Sequence, residues 1–280
     1  MQFRIMASRH SAFYTPLLTC VAALRDQGHE VEYRVLQPGQ RGYVLLRDGE
    51  IDVMQSAVSS SWALLDKGLQ PVPVHFAQIN RCDGFFIAGR HPEPDFTWKN
   101  LEGRALLADH GAQPLVMLQY AVQHNGVDLD KINVMDAGAP GEMEGAFRGG
   151  AGDYVHLQAP IAVGEILASV GASMPPVAFS SLCCSRAYQR TDAYRTFLHA
   201  YAEARDWSLT APAGEVADCE ASFFPDTSPA LLTDAIARYQ TLGTWDGGIE
   251  IPRDLYEQAL TVFQSAGAIS HRYPYDQVVA

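Results

Sequence analysis

Lysine is nearly missing: Lys67, Lys99 and Lys131 are the only three in 280 residues. Schiff-base chemistry needs a lysine amine, so few positions are open to it. Positive charge rests mainly on arginine, whose planar fork suits a carboxylate, sulfonate or phosphate; a biased genome composition gives the same count. Metal-ligand spacing is absent. The nine histidines form no HxH or HxxxH pair, and the five cysteines form no CxxC. That leaves no zinc pattern, and the thiols read as buried and free. Cys183 and Cys184 are adjacent, but neighbours along a strand face opposite ways. No glycine-rich dinucleotide loop and no GxSxG elbow occurs, so no cofactor and no metal is expected. No apolar run approaches the ~18 residues of a membrane-spanning helix, which excludes direct membrane insertion. Basic charge is short too. The net charge of −12 argues against nucleic acid or an anionic membrane as partner, while leaving room for a local basic pocket.

What is there is an ordinary globular composition, 48% hydrophobic and 19% charged, long enough for one large or two medium domains. It also contains an echo. Residues 45–59 read LLRDGEIDVMQSAVS and residues 146–160 read AFRGGAGDYVHLQAP. Arg47, Gly49 and Asp52 correspond to Arg148, Gly150 and Asp153. Each copy reads as helix, glycine turn, acid, short strand, then a polar loop entering a helix. Around the first copy the pattern predicts strand 2–7, helix 12–27, strand VEYRVL, a short helix over 40–48, strand 51–54 and helix 60–67, with further strands near 72–79 and 84–88. Phe13, Leu17, Val21 and Leu24 lie on one face of helix 12–27, and Gly28 ends it. Around the second copy it predicts strands 104–108, 132–136 and 153–157, each followed by a helix, near 114–124, 142–148 and 160–168. This β-α-β order implies mainly parallel sheets. Residues 176–185 read as a strand returning toward the first lobe. Helices 191–207, 212–222, 228–241 and 252–266 follow and should pack on that lobe, with Thr191-Asp192 as an N-cap pair. The expected boundaries are 1–88 plus 184–280 for lobe 1 and 89–183 for lobe 2, with a ligand cleft between the lobes at the carboxyl ends of the strands.

FYTPLL, LLRDGEIDV, TWKNLEGRALLADHG, the second Gly-Gly-acid strand, TDAYRTFLHAYAEA and GGIEIPRDLYEQALTVFQSAGAI together resemble the SsuA/NMT1/THI5-like solute-binding proteins of ABC transporters, over nearly the whole chain. The resemblance implies a two-lobed α/β fold of the type II periplasmic-binding-protein kind. Such a protein closes on a small organic ligand and hands it to an ABC permease. The resemblance also reaches enzymes on the same fold. Their pyrimidine-synthase branch carries a lysine and a histidine just after the strand matching Asp52–Met54, and a cysteine-rich motif. This chain has Ser56 and Ser60 at roughly those places and no such motif. The desulfinase branch uses a cysteine in the loop after the first strand, where this chain has Arg9, His10 and Ser11; Cys20 lies inside the next helix. The chain opens QFRIM, which reads as a core strand. The expected location is cytoplasmic if Met1 is the native start, and periplasmic if a leader was removed.

Candidate ligand-binding residues stand at the loop ends of the strands. Arg9 can grip an anion and His10 can titrate near neutrality; with Ser11 they form the loop after strand 1, which otherwise merely caps a helix. Of Phe13 and Tyr14, one is expected in the core and the other against a planar ligand. Ser56, Ser59 and Ser60 follow strand 51–54, either as an anion or carbonyl site or as an N-cap. His110, Gly111 and Gln113 open a helix in lobe 2, where glycine permits close approach or simply makes a turn. His156 and Gln158 share a face at the end of strand 153–157. Asp52 and Asp153 sit at the far strand ends and read as scaffold, and Trp62 as packing. The leading reading is a solute-binding protein. The competing one is a cytosolic enzyme acting on a small aromatic or heterocyclic acid, with His10 and His156 as acid and base. A cytoplasmic sensor is the third.

Overall fold

Each copy of the echo begins with the same clamp. In the computed structural model, which describes residues 1–280 except the side chain of Pro140, the Asp52 carboxylate accepts the backbone N–H of Arg4 at 2.8 Å. The Asp153 carboxylate likewise accepts the N–H of Ala105 at 2.9 Å. The Arg4 guanidinium reinforces the first clamp, with Nε 3.0 Å and Nη2 2.6 Å from the two Asp52 oxygens. Just upstream, Gly49 and Gly150 have φ of +69° and +101°, a region that glycine enters without steric cost. Turn, acid and strand thus lock onto the neighbouring first strand in both copies.

In chain order the elements are β1 Gln2–Ala7, α1 Thr15–Asp26, β2 Glu30–Val35, α2 Gly42–Arg47, β3 Val53–Ser56, α3 Val58–Asp66, β4 Val74–Asn80 and β5 Phe85–Gly89. Then come β6 Ala105–Leu107, α4 Ala112–His124, β7 Asn133–Met135, α5 Pro140–Arg148, β8 Tyr154–Gln158, β9 Glu165–Ser169 and β10 Ser180–Cys184. Five helices finish the chain: α6 Asp192–Thr210, α7 Ala213–Glu220, α8 Pro229–Thr241, α9 Arg253–Ser265 and α10 Tyr275–Val278. The chain divides into two units. One holds residues 1–81, 178–257 and 273–280; the other holds 82–177 and 258–272.

Both sheets follow one plan. The first is ordered β2-β1-β3-β10-β4 and the second β7-β6-β8-β5-β9. In each, the three strands of the echo are parallel and the fourth strand runs antiparallel to its neighbours. The sheets are therefore mixed. The fourth strands are the first to follow the passages of the chain from one unit to the other after Arg81 and after Val177. This is why the boundaries differ from those expected. The segment 82–88 belongs with the second sheet through β5, and 178–183 with the first through β10. A second difference is local. Residues 160–168 hold no helix. Strand β9 forms there, pairing with the otherwise open edge of β5, which satisfies backbone groups that an edge leaves bare.

The first unit packs α1 against α6. Leu17, Val21 and Leu24 of α1 are fully buried, as are Phe197 and Tyr201 of α6, and Phe197 lies 6.3 Å from Phe3 of β1, centroid to centroid. Gly28 follows α1 at φ +81°. Thr191 caps α6 by accepting the N–H of Tyr194 at 3.1 Å. Arg205, buried on α6, spends its charge on the carbonyls of Gln78 and Ile79 at the end of β4, at 3.0 and 2.7 Å. The last residues extend this sheet: Val279 bridges to His75 in parallel, and the N–H of Ala280 donates to the His75 carbonyl at 2.9 Å. Not every C-terminal helix belongs wholly to the first unit, because α9 passes into the second from Gln258 onward. Among the described residues, no helix is long and apolar enough to cross a membrane.

Candidate functional site

Register decides which side chains of the first unit stand together. Met6, Met54 and Cys183 are cross-strand neighbours on β1, β3 and β10, and they pack in one cluster with Leu46 and Ile51. Two residues further on, a strand returns to the same face. That places Ser8, Ser56 and Ser181 in the next row, at the carboxyl ends of the parallel strands, with Ser181 directly opposite Ser56. β2 lies to one side of β1 and β3 to the other, so the serines stand where the winding order reverses. Open α/β sheets place ligands at that point.

The hydroxyls there are already connected. Ser8 donates from its backbone N–H and its Oγ to the buried Gln55 Oε1, at 3.0 and 2.6 Å. Ser60 Oγ donates to the Ala57 carbonyl at 2.7 Å, which leaves the 2.8 Å contact between Ser56 and Ser60 for Ser56 to donate, since a hydroxyl has one hydrogen. None of these serines caps α3, whose N-cap is Ala57 with no side-chain bond. Ser59 lies half-buried in the first turn of that helix. Beneath the hydroxyl row lies a cavity of about 290 Å³, lined by Leu36, Leu46, Met54, Leu64 and Cys183 and bordered by Ser8, Ser56 and Ser60. Burial drives the Cys183 thiol far above its ordinary pKa, so it is an apolar lining group and not a nucleophile.

Behind this row runs a fully internal chain that the sequence pattern concealed. His75 is 0% exposed. Its Nε2 is 3.0 Å from Ser61 Oγ and its Nδ1 is 2.7 Å from Ser181 Oγ. Desolvation lowers its pKa to about 3, so it is a neutral connector between α3, β4 and β10. VPVHFAQIN is an apolar run, and a histidine within it carries no signal of the two serines it joins. Trp62 is a packing residue: its Nε1 donates to the Tyr256 hydroxyl at 2.9 Å.

The loop after β1 is mostly engaged in structure. Ser11 accepts the N–H of Phe13 at 3.1 Å and caps a helical turn. Phe13 and Tyr14 are both buried, so neither ring stands exposed for a planar ligand. Arg9 is half-buried. His10 Nε2 lies 2.8 Å from the Phe223 carbonyl and its Nδ1 3.2 Å from the Tyr33 hydroxyl. The first contact needs an N–H at Nε2, so Nδ1 accepts from Tyr33. Desolvation lowers the His10 pKa and favours this neutral form. Beneath the loop, Glu220 is 0% exposed, and burial raises its pKa to about 8. Thr15 Oγ1 lies 2.7 Å from the Ala12 carbonyl and 3.0 Å from Glu220 Oε1. With one hydroxyl hydrogen between two acceptors, a protonated Glu220 resolves the competition. Thr15 then donates to Ala12, and the carboxyl O–H donates to Thr15.

In the second unit the corresponding switch point lies between β6 and β8. Asp109 Oδ1 accepts the N–H of Gly111 at 2.7 Å, which shapes the turn. Gly111 then opens α4 with no side-chain cap, and Gln113 lies half-buried in its first turn. His110 Nδ1 is 2.9 Å from the Ala108 carbonyl and 4.0 Å from Asp136 Oδ1, with its side chain 32% exposed. His156 and Gln158 share a face of β8 as expected. His156 is fully buried and stacks on Phe85, centroids 4.4 Å apart. Gln158, at the strand end, is half-buried. The structure thus gathers Ser56, Ser59 and Ser60 in one unit and His110, Gly111 and Gln113 in the other. Ser11, Tyr14 and His156 are built into the interior. Among the described residues no group of three or more His, Cys, Asp or Glu could hold a metal ion.

No family model matches the chain. A curated protein named "Putative binding protein YtlA", from Bacillus subtilis (strain 168), is 24% identical over 286 residues, covering 96% of this chain and 85% of that protein. Among solved structures, the periplasmic aliphatic sulphonate binding protein SsuA of Escherichia coli aligns at TM-score 0.74 and 15% identity, over 99% of this chain and 91% of that one. The alkanesulfonate-binding protein SsuA of Xanthomonas axonopodis pv. citri, bound to MOPS, aligns at TM-score 0.72 and 14% identity, over 100% and 98%. Two mixed sheets flanked by helices, strung in this order, are the periplasmic-binding-protein fold.

Proposed function

We propose that the chain is a solute-binding protein. It captures a small organic molecule with an anionic or hydrogen-bonding head by hinge closure of its two units, and serves an ABC permease. One observation carries the reading. In both units the polar loops expected to meet a ligand stand at the switch point of the sheet, Ser8 and Ser56–Ser60 in one and His110–Gln113 with Gln158 in the other. In both, the helix that begins there has no side-chain cap. Helices α1, α2, α7 and α10 also begin without a side-chain cap, so it is the place of these two starts at the switch points that carries the argument. An uncapped helix start offers N–H groups and a positive dipole end to an acceptor or anion. The names of the matched proteins, a binding protein and two sulfonate binders, point the same way and make alkanesulfonates the first compounds to try.

Chemistry at this site has less support. His10, one half of the acid–base pair considered from sequence, has both ring nitrogens engaged within the first unit. The other half, His156, is fully buried. The test is a thermal-shift screen of sulfonates, carboxylates, pyrimidines and aromatic acids. A ligand that binds only the folded state raises its stability by RT ln(1 + [L]/Kd). Small-angle scattering should show a smaller radius of gyration with the best ligand. A compound that is consumed, with no ligand shifting the melting point, removes the reading.

A further inference from the structure

Three helices of the first unit, α1, α6 and α7, border another cavity, of about 270 Å³. That is nearly twice the ~150 Å³ of an apolar cavity that takes up benzene. Ala23 and Ala204 give it an apolar wall, and Trp207, Cys219, Asp26 and Glu203 stand exposed around it. Trp207 is set apart from the other three tryptophans of the chain. Trp62, Trp98 and Trp245 each donate their indole N–H, to Tyr256, Ser173 and Phe13. Trp207 is 36% exposed, and among the described residues its indole makes no hydrogen bond and no ring contact. A large aromatic surface is thus left open beside an unfilled space.

The charge around that space has one sign. The Asp26 side chain has no ion pair or hydrogen bond among the described residues, and Asp26 ends α1, where the helix dipole is itself negative. Glu203 meets only His199, 3.5 Å away, with side chains 63% and 78% exposed. Helix α7 presents Glu215 and Asp218 to solvent and carries no Lys, Arg or His. The arginines next in sequence are turned elsewhere: Arg25 donates to the Val31 carbonyl, and Arg205 to Gln78 and Ile79. Burial, with Glu220 and Asp26 nearby, raises the Cys219 thiol pKa, so the thiol stays neutral and lines the space without acting as a nucleophile.

We infer that this cavity binds an organic ammonium ion, with its charged head against Asp26 and Glu203 and its apolar body against Ala23, Ala204 and the Trp207 ring. The face of an indole attracts a cation, and the two carboxylates supply the countercharge and the hydrogen-bond acceptors. An anion would be repelled by both carboxylates. A neutral apolar molecule would leave both of them unused. The site lies within the first unit, apart from the serine row, and does not depend on the solute-binding reading.

The experiment uses the full chain with 15N-labelled tryptophan, the Trp207 indole resonance being identified among the four tryptophans by Trp207→Phe. The probes, near neutral pH, are phenethylammonium, the uncharged 2-phenylethanol and the anionic phenylacetate. The expected result is a saturable shift of the Trp207 indole with phenethylammonium, at an affinity at least about tenfold above that of either control, and weakened by added salt. Asp26→Asn and Glu203→Gln, both at exposed positions, should each lower the affinity about two- to fivefold. Asp218→Asn, an exposed acid on α7 outside the cavity, should change it less than about twofold. A Trp207 resonance unmoved by phenethylammonium, or moved alike by all three probes, overturns the inference. So does an equal loss in all three variants, which would mean a diffuse negative surface and no site. A response to an octalysine peptide with none to phenethylammonium would assign the face to a basic protein segment and also overturn it. A sulfonate or other binder from the thermal-shift screen should leave the phenethylammonium affinity unchanged; displacement of the probe would overturn the claim of a separate site, while the solute-binding reading stands in every case.

Discussion

Glu220→Gln isolates one proton in the first unit. The carboxyl is fully buried between α7 and α1, Oε1 touches Thr15, and Oε2 has no hydrogen-bond partner among the described residues. Its titratable neighbours, Tyr33 and Cys219, have raised pKa values themselves, so they stay neutral and offer no counter-charge. Burial therefore decides the protonation state. The pKa rises from 4.5 to about 8. Between those values the folded protein keeps a proton that the unfolded chain has released. Stability is then full below pH 4.5 and falls as pH rises through 8, by about 1.4 kcal/mol per pH unit. From pH 5.5 to 7.5 that amounts to about 2.5 kcal/mol, an upper figure because any water reaching the site would reduce it. Glutamine keeps a donor for Thr15 and cannot titrate. Urea unfolding at pH 5.5, 6.5 and 7.5 checks this. Trp62, Trp207 and Trp245 all lie in the first unit, so tryptophan fluorescence reports mainly on it. The wild type should lose about 2.5 kcal/mol relative to the variant over this range. Other shifted groups, such as Asp83, are common to both proteins and cancel. Parallel pH dependence of the two proteins would refute the claim that Glu220 is a buried neutral acid.

Four further outcomes are expected. His75→Phe takes the side-chain partner from Ser181 and leaves Ser61 only its 3.3 Å bond to the Pro73 carbonyl, and should cost about 2–4 kcal/mol in urea unfolding. It should also remove a pH effect of opposite sign to that of Glu220. The pKa of His75 is lowered to about 3, so its contribution is present above pH 6.5 and lost as pH falls toward 3. Asp52→Ala removes the acceptor of the Arg4 backbone N–H and should cost about 1–3 kcal/mol, with ligand affinity in calorimetry unchanged because the clamp sits at the far end of the strand. Gly171→Ala would drive a Cβ into the backbone of Asp83, and a drop in thermal midpoint of several degrees is expected. Gly214→Ala meets open space in α7 and should raise stability by up to about 1 kcal/mol.

Much of the fold was legible because local rules and the global plan agree. Gly49 and Gly150 carry the positive φ that their place in the echo demanded, and Asp52 and Asp153 make the same bond to the same neighbouring strand. Thr191 caps α6 as its hydroxyl and the following acid implied. The misreadings share one cause. β5, β9 and β10 take their positions from partners far away in sequence, and no period of 2 or 3.6 records which edge is open. Residues 160–168 looked like one more helix because the echo's rhythm ran on; the bare edge of β5 claimed them instead.

The place of the candidate loops in the fold is legible in the sequence, and the role of each residue in them is less so. A loop at a strand end faces the switch point whatever its residues are, so Ser56–Ser60 and His110–Gln113 could be placed from topology alone. Whether a side chain there is offered outward depends on what else it can reach. His10 finds Tyr33 and Phe223, which lie 23 and 213 residues away, and Ser11 finds the turn it begins. Ser56 at the end of β3 finds Ser60 of α3. What remains after those bonds are counted is a backbone helix start and an apolar cavity. Met54, Leu46 and Cys183 line that cavity, yet in the sequence they read as core, because no period or motif separates a residue that faces a cavity from one packed on all sides.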